Sequence, residues 1–195
     1  MHNPFRYQRL IFGYHGCDKE VTDKVITNSE HLTRSENDYD WLGHGIYFWE
    51  QGPQRAYEWA QEQQKRGKIK TPSVIGSVIQ LGNCFDLLDR HSTSILANYY
   101  PEFENGYQTL GKSIPNNTPA FVGDAELLYR RLDCAVINWT LNLIDKDRGV
   151  PSFDSVRGLF QEGDPVYENS GIRRKSHIQI AVRNTACILG YFQPR

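Results

Sequence analysis

No run of apolar residues in this sequence approaches the roughly 18 positions that a membrane-spanning helix needs. The N-terminal stretch is polar and has no secretory h-region, so the expected location is cytoplasmic, in the producing cell or in a target cell. Cysteine is scarce. Cys17, Cys84, Cys134 and Cys187 lie far apart, with no CxxC pair and no Cys/His cluster at ligand spacing. That argues against a zinc site and for four small buried hydrophobes. No strand-like segment is followed by GxGxxG or GxxxxGKS/T, which removes the Rossmann and P-loop readings. An excess of charge is missing too: Lys+Arg 22 against Asp+Glu 23 gives −1. A domain held to nucleic acid by bulk charge would be basic, so only a local basic groove remains open.

What is present fits one globular domain of 195 residues, with 39% hydrophobic residues and enough chain to bury a core. Strands are expected at 9–14 (RLIFGY), 45–49 (GIYFW) and 74–81 (VIGSVIQL). Further β-rich segments occupy 155–160, 176–183 and 187–192. A short helix is expected over 18–27 and a polar loop over 28–40. A helix should start at Pro53, capped by Gly52, and stop at Gly67. Residues 86–100 read as helical, and 100–121, with Pro101, Pro115 and Pro119, as loop. The strongest helical period covers 124–144, through Leu127, Leu128, Leu132, Ala135, Val136, Trp139 and Leu143. Strands at both ends with helices between predict an α+β domain, with 86–150 a mostly helical insertion.

Three clusters carry chemistry. His15-Gly16 ends the first strand, where a glycine backbone can be approached closely. Residues 41–49 interleave glycines and aromatic rings, a pattern suited to a flat ligand between ring walls and equally to an aromatic core strand. His177 and Gln179 alternate with apolar residues in the late strand, facing either a cleft or solvent.

Taken in order, these segments resemble the ADP-ribosyltransferase superfamily, in its poly(ADP-ribose)-polymerase-like branch with a His–Tyr–Glu triad. The residues that carry the resemblance are His15-Gly16, then Gly43-His44-Gly45-Ile46-Tyr47-Phe48, then Ala56 with Tyr57 and Trp59. Leu81-Gly82-Asn83 follows, and Gln179-Ile180-Ala181-Val182 stands late. The match covers about residues 9–85 and 155–193. The resemblance implies a split antiparallel two-sheet core with NAD⁺ in the cleft. His15 would bond the adenosine ribose, and Gly16 the nicotinamide carboxamide. Tyr47, with Tyr57 or Trp59, would stack on the nicotinamide ring beside Ala56. Aromatic faces attract a flat pyridinium cation, and a buried carboxamide needs both a donor and an acceptor.

The family places a glutamate where this sequence has Gln179. A glutamine accepts from the 2′-hydroxyl but brings no charge, which speaks against chain-building transfer. Glu162 ranks first as a substitute acid, ahead of Glu168 and Asp40; a turn-forming role is the simpler account of Asp40. Arg173, Arg174 and Lys175 fall where the family meets its acceptor, a protein or a nucleic acid. The resemblance thus implies an NAD-dependent mono-ADP-ribosyltransferase that needs no metal. Small enzymes of this kind are often toxins or effectors. An NAD glycohydrolase and an inactive NAD- or ADP-ribose-binding module are the alternatives.

Overall fold

The computed structural model describes residues 9–120, 122 and 126–195. The N-terminal segment 1–8 lies outside the described residues. So do positions 124 and 125, where the strongest helix was expected to begin. The chain runs β1 (Leu10–Asp18), α1 (Lys19–Ile26), β2 (Ile46–Glu50), α2 (Pro53–Lys65), β3 (Pro72–Gln80), β4 (Cys84–Asp86) and α3 (Arg90–Thr109). It continues through β5 (Asn117–Thr118), β6 (Tyr129–Arg130), α4 (Arg131–Lys146), β7 (Ser155–Phe160), β8 (His177–Val182) and β9 (Ile188–Phe192). The fold class is α+β.

The sheet differs from a pair of antiparallel sheets. Seven strands form one continuous sheet in the order β4-β7-β8-β2-β1-β3-β9, and β4 runs parallel to β7. The join at its middle is narrow. β1 pairs with β3 at nine positions and β2 with β8 at four, but β1 and β2 pair only through Gly13↔Glu50 and Tyr14↔Trp49.

Alternation along the strands separates two cores. Ile46, Phe48, Ile75, Ile79, Ile180 and Val182 point to one face, where Val25 of α1 packs on them. Phe85, Val156, Phe160 and Ala181 point to the other, against Ile137 and Leu141 of α4. α2 also covers this second face, on the β1 side. Its Ala56 carbonyl sits so close to Gly16 that a Cβ there would overlap it. All four cysteines are buried and unpaired with one another.

Two helix boundaries depart from the local pattern. α3 continues through Pro101 to Thr109, where a loop was expected. Phe103, fully buried, packs against Tyr107 and Trp139, and Gly106 lies directly under the Trp139 ring, so tertiary packing outweighs the proline. α4 begins at Arg131, later than expected. Leu127 has φ 50, a left-handed conformation that no helix accepts. Asn117 Oδ1 accepts from the backbone N–H of Leu132 and Asp133, at 2.9 and 3.3 Å, and so caps the helix from a distant segment.

Arg157 of β7 bridges the sheet beneath the first core. Its Nε donates to Glu50 at 2.6 Å and its Nη1 to Asp86 at 2.9 Å, with the three side chains 7%, 6% and 5% exposed. Removing one member leaves buried charge without a partner. Arg157→Met should therefore cost about 3–5 kcal/mol of stability, read from urea denaturation midpoints. A loss below about 1 kcal/mol would show that water enters and solvates the carboxylates.

Candidate functional site

The site forms where β1 and β2 part. Phe12 O accepts from Gln51 N at 2.9 Å, which fixes the parity of β1. Phe12, Tyr14 and Gly16 thus direct their N–H and C=O groups toward β2, while Gly13 and His15 direct theirs toward β3. Pairing stops after Tyr14. Gly16 therefore stands at the opening with a donor and an acceptor pointing into it.

His15 spans the opening. Its Nδ1 donates to the Tyr47 carbonyl at 2.7 Å. A carbonyl only accepts, so Nδ1 carries the proton and Nε2 keeps a bare lone pair. Desolvation holds the imidazole below its ordinary value of 6.5, outweighing the Tyr47 hydrogen bond, so the ring is neutral at pH 7. A neutral Nε2 is an acceptor for a hydroxyl.

Tyr47 is held firmly. Its hydroxyl donates to Gly43 O at 2.6 Å and accepts from Leu42 N at 2.9 Å. Gly43 has φ 73, and the His44 N–H is bound by Asn138 of α4 at 2.9 Å, so the turn ahead of β2 is clamped. Burial, with the Asp40 charge second, pushes the Tyr47 phenol well above 10. Tyr47 is a wall that stays protonated, and it has no spare hydroxyl for proton transfer.

Helical phase arranges α2. Ala56 and Ala60 face the sheet. Trp59 lies beside Gly16 and 5.9 Å from Trp49, ring centre to ring centre, whereas Tyr57 is exposed. Of the two rings expected at the ligand, Trp59 stands at the opening.

β8 supplies the rest of the floor. Gln179 lies between Trp49 of β2 and Gly158 of β7, and it shares a face with His177 and Ala181. No carboxylate occupies that position. Glu162, in the loop after β7, approaches from the side. It pairs with Arg55 at 2.8 Å and lies 3.9 Å from His177 Nδ1. The Arg55 guanidinium in turn lies 5.8 Å from the centre of the Trp49 ring. The structure thus gathers Gly16, Tyr47, Trp59, Gln179 and Glu162 on the second face around Trp49, while the His15 ring reaches the Tyr47 carbonyl from the first face, 5.8 Å from the Phe48 ring, centre to centre.

Other expected residues lie apart. Glu168 is exposed in the loop before β8. Asp40 is buried and bonds Ser35 and Asn37, a turn-forming role, with its pKa raised by burial. Lys175 pairs with Glu62 at 3.0 Å and Arg174 donates to Val166 O at 3.2 Å, while the Arg173 backbone bridges Pro165. Burial pushes the Cys84 thiol up to about 12 and those of Cys134 and Cys187 to about 11. None of these three is a thiolate nucleophile at neutral pH. No group of three or more His, Cys, Asp or Glu side chains able to hold a metal occurs among the described residues.

Arg55 carries little local signal beyond its four-residue step to Trp59 along α2. The neighbourhood is short of hydrogen-bond partners. Trp49 Nε1, Arg55 Nε and Nη1, and His177 Nε2 are buried with none among the described residues. His177 Nδ1 donates to Lys175 O at 2.6 Å, so its Nε2 is also a bare acceptor. Orphaned donors beside an orphaned acceptor fit a ligand that carries both hydroxyls and anionic oxygens. The chain matches no family model, no curated protein and no solved structure.

The two imidazoles make stability pH-dependent. Burial depresses both His15 and His177, the latter helped by Arg55 and Arg130. The unfolded chain takes up protons near 6.5, where the folded one does not. Stability is therefore full above about pH 7 and falls as pH drops below about 6.5. His15→Gln keeps a donor for Tyr47 O and should flatten part of that fall, measured by denaturant titration across pH. An unchanged slope would mean that His15 is protonated in the fold.

Proposed function

We propose that the chain is an NAD-dependent mono-ADP-ribosyltransferase. The observation that carries this reading is the parting of β1 and β2, with Gly16 at its mouth and the Tyr47 carbonyl tied by His15. A carboxamide offers one donor and one acceptor in a plane, the complement of the Gly16 backbone. Trp59 and Tyr47 would wall the pyridinium, and His15 Nε2 would accept from a ribose hydroxyl. In this reading the split core has its two halves meeting at the narrow β1–β2 join.

The reaction breaks the bond between ribose C1′ and the nicotinamide nitrogen. Nicotinamide leaves neutral with the bonding pair, and positive charge develops on the ribose. The acceptor nucleophile then bonds C1′ and gives up its proton. Gln179 would bond the 2′-hydroxyl through its amide oxygen. It orients the ribose but adds only a dipole to the stabilisation of the cation. Glu162 has its charge balanced by Arg55, so its field at the ribose is reduced. This arrangement suits a single slow transfer. Arg173 and Arg174 would meet an acidic acceptor surface, and Lys175, drawn to Glu62, would brace the loop.

The neutral residue at 179 also favours a second reading, a module that binds NAD or ADP-ribose without turnover. Incubation with labelled NAD⁺, with and without cell extract, separates the readings. Label in a macromolecular fraction together with nicotinamide release supports the transferase. Equal nicotinamide release without extract marks a glycohydrolase, and binding without release marks the module. Tyr47→Ala should abolish labelling. Gln179→Glu should raise nicotinamide release at least ~10-fold, because it places a full negative charge near C1′. Absence of NAD⁺ binding would overturn the proposal.

A further inference from the structure

A second site adjoins the His177 side of the candidate site and is lined by different residues from the β1–β2 opening. Between α3, α4 and β7 there is an open cavity of about 720 Å³. Its walls are apolar, with Leu96 and Ala97 from α3, Val136 and Ile137 from α4, and Phe160 from β7. At its rim Leu88 and Leu159 are 47% and 51% exposed. Neither His15, Gly16, Tyr47 nor Gln179 lines it.

Two charged residues, Arg130 and Asp133, stand in this otherwise apolar wall, and Asp133 is 42% exposed. The Arg130 guanidinium lies 4.7 Å from the centre of the Trp41 ring and 5.0 Å from that of Phe160. Its acceptors are poor. Asp133 is 3.9 Å away and 42% exposed, beyond hydrogen-bond distance, and the Glu126 carbonyl is at 3.5 Å. Among the described residues Arg130 Nε is buried with no partner. Two aromatic faces thus hold the guanidinium in place while its donors go underused.

We propose that this cavity binds an organic anion with a predominantly apolar body, its charged head on Arg130. The volume falls within the range of small-molecule sites, which combine apolar walls with a few fixed polar groups. The leucines at the rim gain from being covered, and Arg130 gains the acceptor that Asp133 does not supply. Because the guanidinium is already positioned, little ordering opposes binding. The cavity adjoins the neighbourhood assigned to NAD⁺, since Trp41 and Phe160 lie 6.2 and 5.9 Å from the His177 ring, centre to centre, but its apolar body is lined by other residues, so each ligand is tested separately.

Anilinonaphthalene sulfonate is the probe. The folded protein should bind it saturably with a stoichiometry of one and a rise in fluorescence, and octanoate should compete. Arg130→Gln should weaken binding at least ~10-fold through loss of a charge-assisted contact. Ala97→Trp places an indole in the cavity from an exposed position on α3 and should abolish binding, with near-UV circular dichroism retained. If Arg130→Gln fails to fold, the uncharged phenylnaphthylamine tests the charge instead and should bind wild type at least ~10-fold more weakly than the sulfonate. The proposal is overturned by no saturable binding to wild type, by Ala97→Trp binding like wild type, or by the neutral probe binding as tightly as the anion.

Discussion

The hydrogen bond from His15 Nδ1 to the Tyr47 carbonyl holds together two strands that otherwise leave each other after two residue pairs. Each strand is drawn elsewhere. β1 is committed to β3 along its whole length, and β2 is pulled toward β8. Gly45 packs tightly under Ala181, and the Tyr47 hydroxyl is bound back to the turn before it, so β2 cannot swing across to close the gap. Had the strands zipped fully, the Gly16 amide and carbonyl would be spent on the ladder. Because they part, a peptide's worth of hydrogen-bonding capacity faces an opening, and one imidazole keeps the opening from spreading.

Charge is arranged on the two faces in different ways. On the first face, Arg157 pairs with both Glu50 and Asp86 and ties β2, β4 and β7 together, with Arg9 3.6 Å from Glu50 as the second cation. That network is structural: the Arg157 contacts are short and the three side chains are almost fully buried. On the second face, the Arg55–Glu162 pair leaves donors over, and so does Arg130. Orphaned buried donors oppose folding unless something supplies acceptors. These donors concentrate around Trp41, Trp49 and His177, the side of the sheet on which the proposed ligand would sit.

Much of the frame was legible because local signals and tertiary demands agreed. Gly52-Pro53 opens α2, and Gly67, at φ 72, follows its end. The apolar run at 74–81 became β3. His15-Gly16 and the 41–49 segment were singled out as separate motifs, and the fold sets them side by side. What stayed hidden depends on distant partners. Pro101 signals a break, yet the Phe103–Trp139 packing carries α3 through it. Leu127 and Leu128 keep a helical period, yet the cap that starts α4 comes from Asn117. The parallel β4–β7 pair joins Cys84–Asp86 to a strand some seventy residues later, a pairing no local pattern announces. The ion network around Arg157 was hidden for the same reason, since its two carboxylates lie 107 and 71 positions away in the sequence.

In the proposed function a nicotinamide ring sits between the Gly16 backbone and the Tyr47 wall. The most direct measurement is a titration of the labelled protein with nicotinamide, followed through backbone amide resonances. Saturable shifts are expected at Gly16, Tyr47 and Trp59, reduced when His15 is replaced by alanine, with the amides of α3 unmoved. Shifts confined to other segments, or no saturable shift at Gly16 up to the solubility limit of the ligand, would contradict that placement.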